Sequence, residues 1–135
     1  MMVELARTQG DGYVSLTDIA TKQGISKKYL EQIIPLLSHE NYLQTARGLK
    51  GGYRLSRTPA EYKVGEVLRL TEGSLAPVTC VCPDASCFCD KCNKCPTYPL
   101  WKKLSRIVSD YLDSVTLEDL VESRIELDSL DDAKL

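Results

Sequence analysis

Two stretches of helical periodicity, each behind a serine cap and parted at Gly24, limit what this chain can fold into more than any other feature. Ser15-Leu-Thr17-Asp18 supplies N-cap acceptors for a helix over Leu16–Gln23, with Leu16, Ile19 and Ala20 on one face. Ser26 caps a second helix over Lys27–His39, where Tyr29, Leu30, Ile33, Ile34 and Leu37 recur at steps of three and four. Two turns of helix, a short glycine-centred break and a second capped helix make up a helix-turn-helix. Ala20 is small where the helices must approach, Gly24 leaves the turn backbone unhindered, and Ile25, Leu30 and Ile33 supply the buried side. Ser26, Lys27, Lys28, Glu31 and Gln32 are then left on the exposed face and early turns. Lys suits phosphate, while Gln and Glu suit base edges in a major groove. The competing reading is a plain helical hairpin with a solvated face. Pro35 removes one hydrogen bond inside the second helix and marks either a kink or an early end.

The next segment separates those readings. Residues 41–47 alternate and are β-prone at Tyr42, Leu43 and Thr45, Gly48-Leu-Lys-Gly51-Gly52 is a turn, and Tyr53-Arg-Leu55-Ser closes as a second strand. A β-hairpin directly after a helix-turn-helix is a wing. Arg47 and Lys50 sit at its tip, with Arg54 just beyond, placed for phosphate or a minor groove.

Around this unit the periodicity predicts further helices. Residues 1–9 form one that begins in mid-pattern, so residues upstream are expected; Gly10-Asp-Gly12 ends it, and Tyr13-Val14 is a short extended piece. Thr58-Pro59-Ala-Glu61 reads as a linker into a helix over residues 64–73, with Val64, Val67, Leu68 and Leu70 toward the core. Beyond Pro99, Leu100, Trp101, Leu104, Ile107, Val108, Tyr111, Leu112 and Val115 form a wide apolar face. That face is more than the outside of a small monomer tolerates, and the same helix of a second subunit would bury it; burial against its own wing unit is the alternative. Thr116-Leu-Glu-Asp119 caps a last short helix over Leu117–Val121, and the acidic remainder is read as a flexible tail. The expected fold is mainly α with a small β-hairpin wing: residues 1–73 a winged helix-turn-helix DNA-binding domain, 74–97 a cysteine-rich loop, 98–121 the dimerisation helix and its short follower, 122–135 the tail.

All six cysteines fall within residues 80–95: Cys80, Cys82, Cys87, Cys89, Cys92 and Cys95. No apolar run approaches the ~20 residues of a membrane span, and no secretory signal is visible. A cytoplasmic location is therefore expected, where clustered thiols hold metal more often than they form disulfides. Residues 1–58 carry eight Lys/Arg against five acids, net +3, and residues 59–135 carry nine against fourteen, net −5, which together return the chain's −2. A basic head and an acidic remainder fit a nucleic-acid module joined to a part that must avoid phosphate. Thiolates favour an iron–sulfur cluster, zinc or copper(I). Zinc would take Cys92-x-x-Cys95 with Cys80-x-Cys82 or Cys87-x-Cys89, and a thiol–disulfide switch would take any two, one of them activated beside Lys91 or Lys94. Catalysis has little support, since there is no nucleophile with a nearby base and no phosphate loop. An electron carrier is the rival of a different class, and a wing would be surplus in one.

Tyr29-Leu-Glu31-Gln, the wing Arg47-Gly-Leu-Lys-Gly-Gly-Tyr53-Arg-Leu, Val64-Gly-Glu-Val-Leu, the cysteine loop, Leu100-Trp101 and Thr116-Leu-Glu-Asp-Leu120 together resemble the IscR/NsrR/CymR family of dimeric winged-helix repressors. The resemblance runs to about Val121 and is nearest to the iron–sulfur regulators of the family. It implies a homodimer through the long helix, with Trp101, Leu104, Ile107, Val108, Tyr111 and Leu112 at the interface, and palindromic double-stranded operators. It adds Tyr29 to the DNA-facing set and gives Glu31 a part in discriminating operator classes. It also implies a cluster, of two-iron type ahead of four-iron, on Cys82, Cys89 and Cys95. The family pattern places three cysteines with five residues between neighbours and a histidine three positions after the last. Here Pro83 takes the first cysteine's place, so Cys82 is its nearest substitute, and Tyr98 takes the histidine's. The fourth ligand is open among Cys92, Cys87, Cys80, a carboxylate from the partner's first helix and a group upstream. The function implied is repression of the iron–sulfur biogenesis type. A nitric oxide or redox/cysteine-status repressor, using a four-iron cluster or a thiol switch, and a structural zinc site are the alternatives.

Overall fold

A computed structural model describes residues 1–8, 10, 12–48, 50–82 and 94–125. Among these, the helices are α1 (Met2–Arg7), α2 (Leu16–Gln23), α3 (Lys27–His39), α4 (Val64–Glu72), α5 (Tyr98–Ser114) and α6 (Leu117–Val121). Strands β1 (Leu43–Ala46) and β2 (Gly52–Leu55) lie between α3 and α4, and 3-10 turns cover Pro59–Glu61 and Thr79–Val81.

The two serine caps work as the sequence predicts. Ser15 accepts from the Asp18 N–H at 3.1 Å and Ser26 from the Tyr29 N–H at 3.2 Å, each satisfying an orphan donor of a first helical turn. Gly24 closes α2 at φ 63°, a left-handed conformation that glycine adopts without a Cβ penalty, and the following N–H of Ile25 returns to the Ala20 carbonyl. That reversal lets α3 cross α2 with Ile19 and Leu30 meeting in the core, 0% and 1% exposed.

α3 continues through Pro35 to His39, so the proline does not end it. Leu30, Ile34 and Leu37 anchor the helix on both sides of the missing bond, while Pro35 itself faces solvent. The deepest positions are therefore Leu30, Ile34 and Leu37, with Ile25 and Ile33 only half-buried.

β1 and β2 pair antiparallel with Leu43 opposite Leu55 and Gln44 opposite Arg54. Period-two alternation turns Leu43 and Leu55 into the core and Gln44 and Arg54 outward. The short extended piece at Val14 joins the other edge of β2 through reciprocal 2.9 Å bonds with Tyr53, so the wing has a third partner from the chain's beginning.

The segment expected as a plain linker is more ordered than that. Thr58 and Glu61 form a capping box around a 3-10 turn, which delivers Tyr62 into the core with no exposed surface. Its hydroxyl accepts from the Ser56 and Arg57 N–H groups, both at 3.0 Å, and donates to the Tyr42 carbonyl at 2.8 Å. The Arg57 guanidinium lies about 5 Å from both the Tyr42 and the Tyr62 ring centroids. The wing's exit is thus locked by one phenol.

The end of the chain returns to its start. Val64 N–H bonds the Val115 carbonyl at 2.9 Å and Leu117 N–H bonds the Tyr62 carbonyl at 3.0 Å, which seats α6 against α1 and Leu117 in the same core as Leu5. Tyr62→Phe keeps the ring but leaves two backbone donors and one carbonyl without that partner. A loss of about 1–3 kcal/mol is expected, read as a lower denaturant midpoint at unchanged slope.

Candidate nucleic-acid interface and cysteine segment

On α3, the first two turns present Ser26, Lys27, Lys28, Glu31 and Gln32 to solvent. For positions 28, 31 and 32 this follows from the periodicity once Leu30, Ile34 and Leu37 face inward; Lys27 shares their side of the helix and is exposed as its first residue. The Ser26 hydroxyl is engaged as the cap, so its exposed surface comes with a fixed geometry. Tyr29 is 45% exposed, and its hydroxyl donates to Glu72 Oε1 at 3.3 Å. The negative charge of Glu72, then burial, hold that phenol above the usual tyrosine range.

The wing cations are exposed as well. Arg47 and Lys50 flank the turn between β1 and β2. Arg54 is steadied on the strand face: its Nε donates across the pair to Gln44 Oε1 at 2.8 Å, and its guanidinium lies 4.8 Å from the Tyr13 ring centroid. Recognition-helix and wing residues therefore belong to one rigid unit, joined by the core described above.

α5 shows the opposite arrangement from an ordinary surface helix. Its 17 residues include none that is buried. Leu100, Ile107 and Tyr111 are 60%, 55% and 54% exposed, and Leu104 is exposed too. Trp101, Val108 and Leu112 flank this stripe and are half-buried. The less exposed side of α5 carries Ser105, Ser109 and Asp113 in register alongside the half-buried Trp101, Val108 and Leu112. Asp113 forms an ion pair with Arg69 of α4 directly above Gly65. The apolar face found in the sequence is thus divided: Leu100, Leu104, Ile107 and Tyr111 face solvent, while Trp101, Val108 and Leu112 are half-buried and Val115, 8% exposed, joins the chain's own core.

The cysteine segment enters and leaves beside α5. The Thr79–Val81 turn packs on that helix, and Cys95 lies just ahead of its first turn. Cys82 Sγ donates to Ser74 Oγ at 3.1 Å, and Cys95 Sγ lies 3.2 Å from Thr97 Oγ1. The Thr97 hydroxyl, with the Thr97 and Tyr98 N–H groups, holds the Cys95 thiol below the usual cysteine range. Cys80, Cys82 and Cys95 are each partly exposed. Cys87, Cys89 and Cys92 lie outside the described residues. Among the described residues no three of His, Cys, Asp and Glu converge on one point. With six thiols against the two carboxylates of Asp84 and Asp90, the segment's donors fit a soft ion or an iron–sulfur cluster better than a hard cation. His39 is exposed at the end of α3 beside Glu40.

Three connections escape a reading of the sequence. Glu72 ties α4 to the recognition helix through Tyr29, Glu66 lies 3.4 Å from the Tyr42 hydroxyl at the wing's entry, and Arg69 ties α4 to α5. All three sit on one nine-residue helix, spaced three apart. That spacing on a short helix was the available signal, but it does not say which partners the side chains reach.

A profile described as "Rrf2: Iron-dependent Transcriptional regulator" matches residues 1–123. The HTH-type transcriptional regulator IscR of Pectobacterium carotovorum is 34% identical over 130 residues, covering 96% of this chain and 77% of that protein. Among solved structures, CymR, the global cysteine regulator of B. subtilis, superposes with a TM-score of 0.71 at 33% identity, over 93% of this chain and 89% of that one. IscR of T. potens gives 0.70 at 33% identity, over 96% and 84%.

Gly65 offers a test of the α4–α5 contact. Alanine ordinarily stabilises a helix interior by about 0.5–1 kcal/mol over glycine. Here its Cβ would overlap the end of the Asp113 side chain, which can turn aside only by leaving Arg69, so Gly65→Ala is expected to lose that gain and stay within about 0.5 kcal/mol of the parent in urea unfolding. Adding Asp113→Ala removes the obstacle and should let the helix gain appear; a single variant stabilised by the full amount would contradict the contact.

Proposed function

The chain belongs to the Rrf2 family of transcriptional regulators, and from that premise we propose that it is a cytoplasmic homodimeric repressor whose thiol-held iron–sulfur cluster governs its grip on palindromic operators. It is a regulator of IscR-like sequence rather than an enzyme, and its winged-helix family implies DNA binding. The observation that carries the finer reading is the inverted amphipathicity of α5. A helix that keeps its ion pair inside and its Leu, Ile and Tyr outside is built to meet a second copy of itself.

Two copies joined along Trp101, Leu104, Ile107, Val108, Tyr111 and Leu112 would carry two α3 helices. Those helices must lie about 34 Å apart to read adjacent half-sites. Lys27, Lys28, Arg47, Lys50 and Arg54 would take phosphates, and Ser26, Tyr29, Glu31 and Gln32 would face the major groove. The resident group would be held by Cys82, Cys89 and Cys95, with a fourth ligand from Cys80, Cys87 or Cys92, or from outside the loop. When bound it supplies a redox-sensitive cross-link among soft donors. The chain's own residues do the rest: the cysteine segment adjoins α5, Asp113 and Arg69 join α5 to α4, and Glu72 and Glu66 reach Tyr29 and Tyr42. Tension or release in the loop thereby reaches the recognition helix, and two dimer populations shift. A two-iron cluster is favoured over a four-iron one on the IscR likeness. The depressed Cys95 thiol supports a second reading, a thiol–disulfide switch in the manner of a redox or cysteine-status repressor; a zinc site remains the structural alternative.

Three measurements test this. Anaerobically purified full-length protein is expected to show visible absorption with iron and sulfide. Cys89→Ala with Cys95→Ala should abolish the absorption and shift affinity for a duplex selected from random sequence; an unchanged spectrum and affinity would remove the cluster role. Lys28→Ala and Arg47→Ala should each flatten the dependence of log affinity on log salt by about two per dimer, one from each half-site. Leu104→Glu with Ile107→Glu should yield folded monomers with weakened binding to the palindrome; a variant that stays dimeric would refute the α5 interface.

A further inference from the structure

A cavity of about 450 Å³ opens between α4, the segment following it and α5, on the side of α5 opposite its apolar stripe. Three cations enter its wall from two helices: Arg69 from α4, and Lys102 and Arg106 from α5. Ser74, Ser105 and Ser109 add hydroxyls, and among the described residues no acidic one lines it. The rest of the lining includes Leu75, Ala76 and Val81, which form an apolar wall. The charges there are incompletely balanced. Lys102 and Arg106 stand one turn apart on one face, an arrangement that costs a helix free energy when nothing neutral or negative intervenes. Arg106 meets Asp110 at 3.5 Å, but both side chains are more than two-thirds exposed, where such pairs contribute little. Among the described residues, Arg69 alone of the three has a closely held carboxylate, that of Asp113.

We propose that this cavity is a binding site for a small organic anion, a carboxylate or phosphate ester with a short apolar body, bridging the cations of α4 and α5. Its size suits a metabolite. Its wall repels a metal cation, and the hydroxyls and guanidinium groups match the oxygen atoms of a carboxylate or phosphoryl group. Occupancy clamps α4 to α5, and α4 holds Tyr29 of the recognition helix through Glu72, so the ligand alters operator affinity. Ser74 is also the partner of the Cys82 thiol, which places the ligand beside the cysteine segment. The site depends on no cluster and would persist if the cysteines held zinc or nothing at all.

The test uses the full chain with inorganic phosphate and citrate as probes, ionic strength held constant with chloride. Saturable binding, one anion per chain, is expected by calorimetry, together with a raised thermal midpoint and a several-fold change in operator affinity. Lys102→Ala with Arg106→Ala should weaken anion binding at least about tenfold. Ser105→Glu, which puts a carboxylate into the cavity, should abolish it, and both variants should retain the parent's helical content. Dissociation constants weaker than about 10 mM for both probes, or equal effects in parent and variants, would overturn the site. Tight anion binding with unchanged operator affinity would overturn its coupling to DNA. Loss of DNA binding in the parent itself would count against the regulator reading and leave the anion titration standing as a separate result.

Discussion

Asp113 reaches from α5 to the guanidinium of Arg69 on α4, across the bare backbone of Gly65, and the orientation of α5 depends on that contact. With the carboxylate committed inward, the helical period sends Leu100, Leu104, Ile107 and Tyr111 to the other side. A partly exposed ion pair contributes little to stability by itself. Its effect here is shared: the half-buried Trp101, Val108 and Leu112 and the Val64–Val115 backbone bond hold α5 in the same rotation. A solvent-facing stripe of this kind is what an assembly interface requires.

The same helix α4 also serves the nucleic-acid side. Glu66, Arg69 and Glu72 leave it toward the wing entry, α5 and the recognition helix respectively. Each is a modest contact, and none is buried enough to dominate the fold. The bulk of stability lies in the apolar cluster of Leu5, Ile19, Leu30, Leu37 and Tyr62, which holds α1, α2, α3 and the wing as one body. Separating the two tasks allows the polar links of α4 to change without unfolding the head that carries α3 and the wing.

Much of the architecture was legible because local rules and tertiary packing agree. Ser15, Gly24 and Ser26 punctuate the helix-turn-helix by capping chemistry that acts within four residues, and the wing register follows from alternation around a glycine turn. The exposure of Lys28, Glu31 and Gln32 follows from where Leu30, Ile34 and Leu37 must go. Pro35 was ambiguous since a lost hydrogen bond can be outweighed by burial on both sides, and only packing shows that it was. Thr58–Glu61 resembled a linker because a 3-10 turn of three residues has no periodicity to detect.

What the chain's order of residues determined alone is therefore the α-helices and the hairpin, the exposed face of the recognition helix, the apolar stripe of α5 and the thiol-rich donor set of residues 80–95. Tertiary structure decided which way that stripe faces, that Tyr62 locks the wing, and that Arg69, Lys102 and Arg106 share one cavity. The physical reason is range. Caps, turns and periodicity are settled by neighbours a few residues apart, whereas Arg69 and Asp113, or Tyr29 and Glu72, lie more than forty positions apart and meet only after the core has brought their helices together.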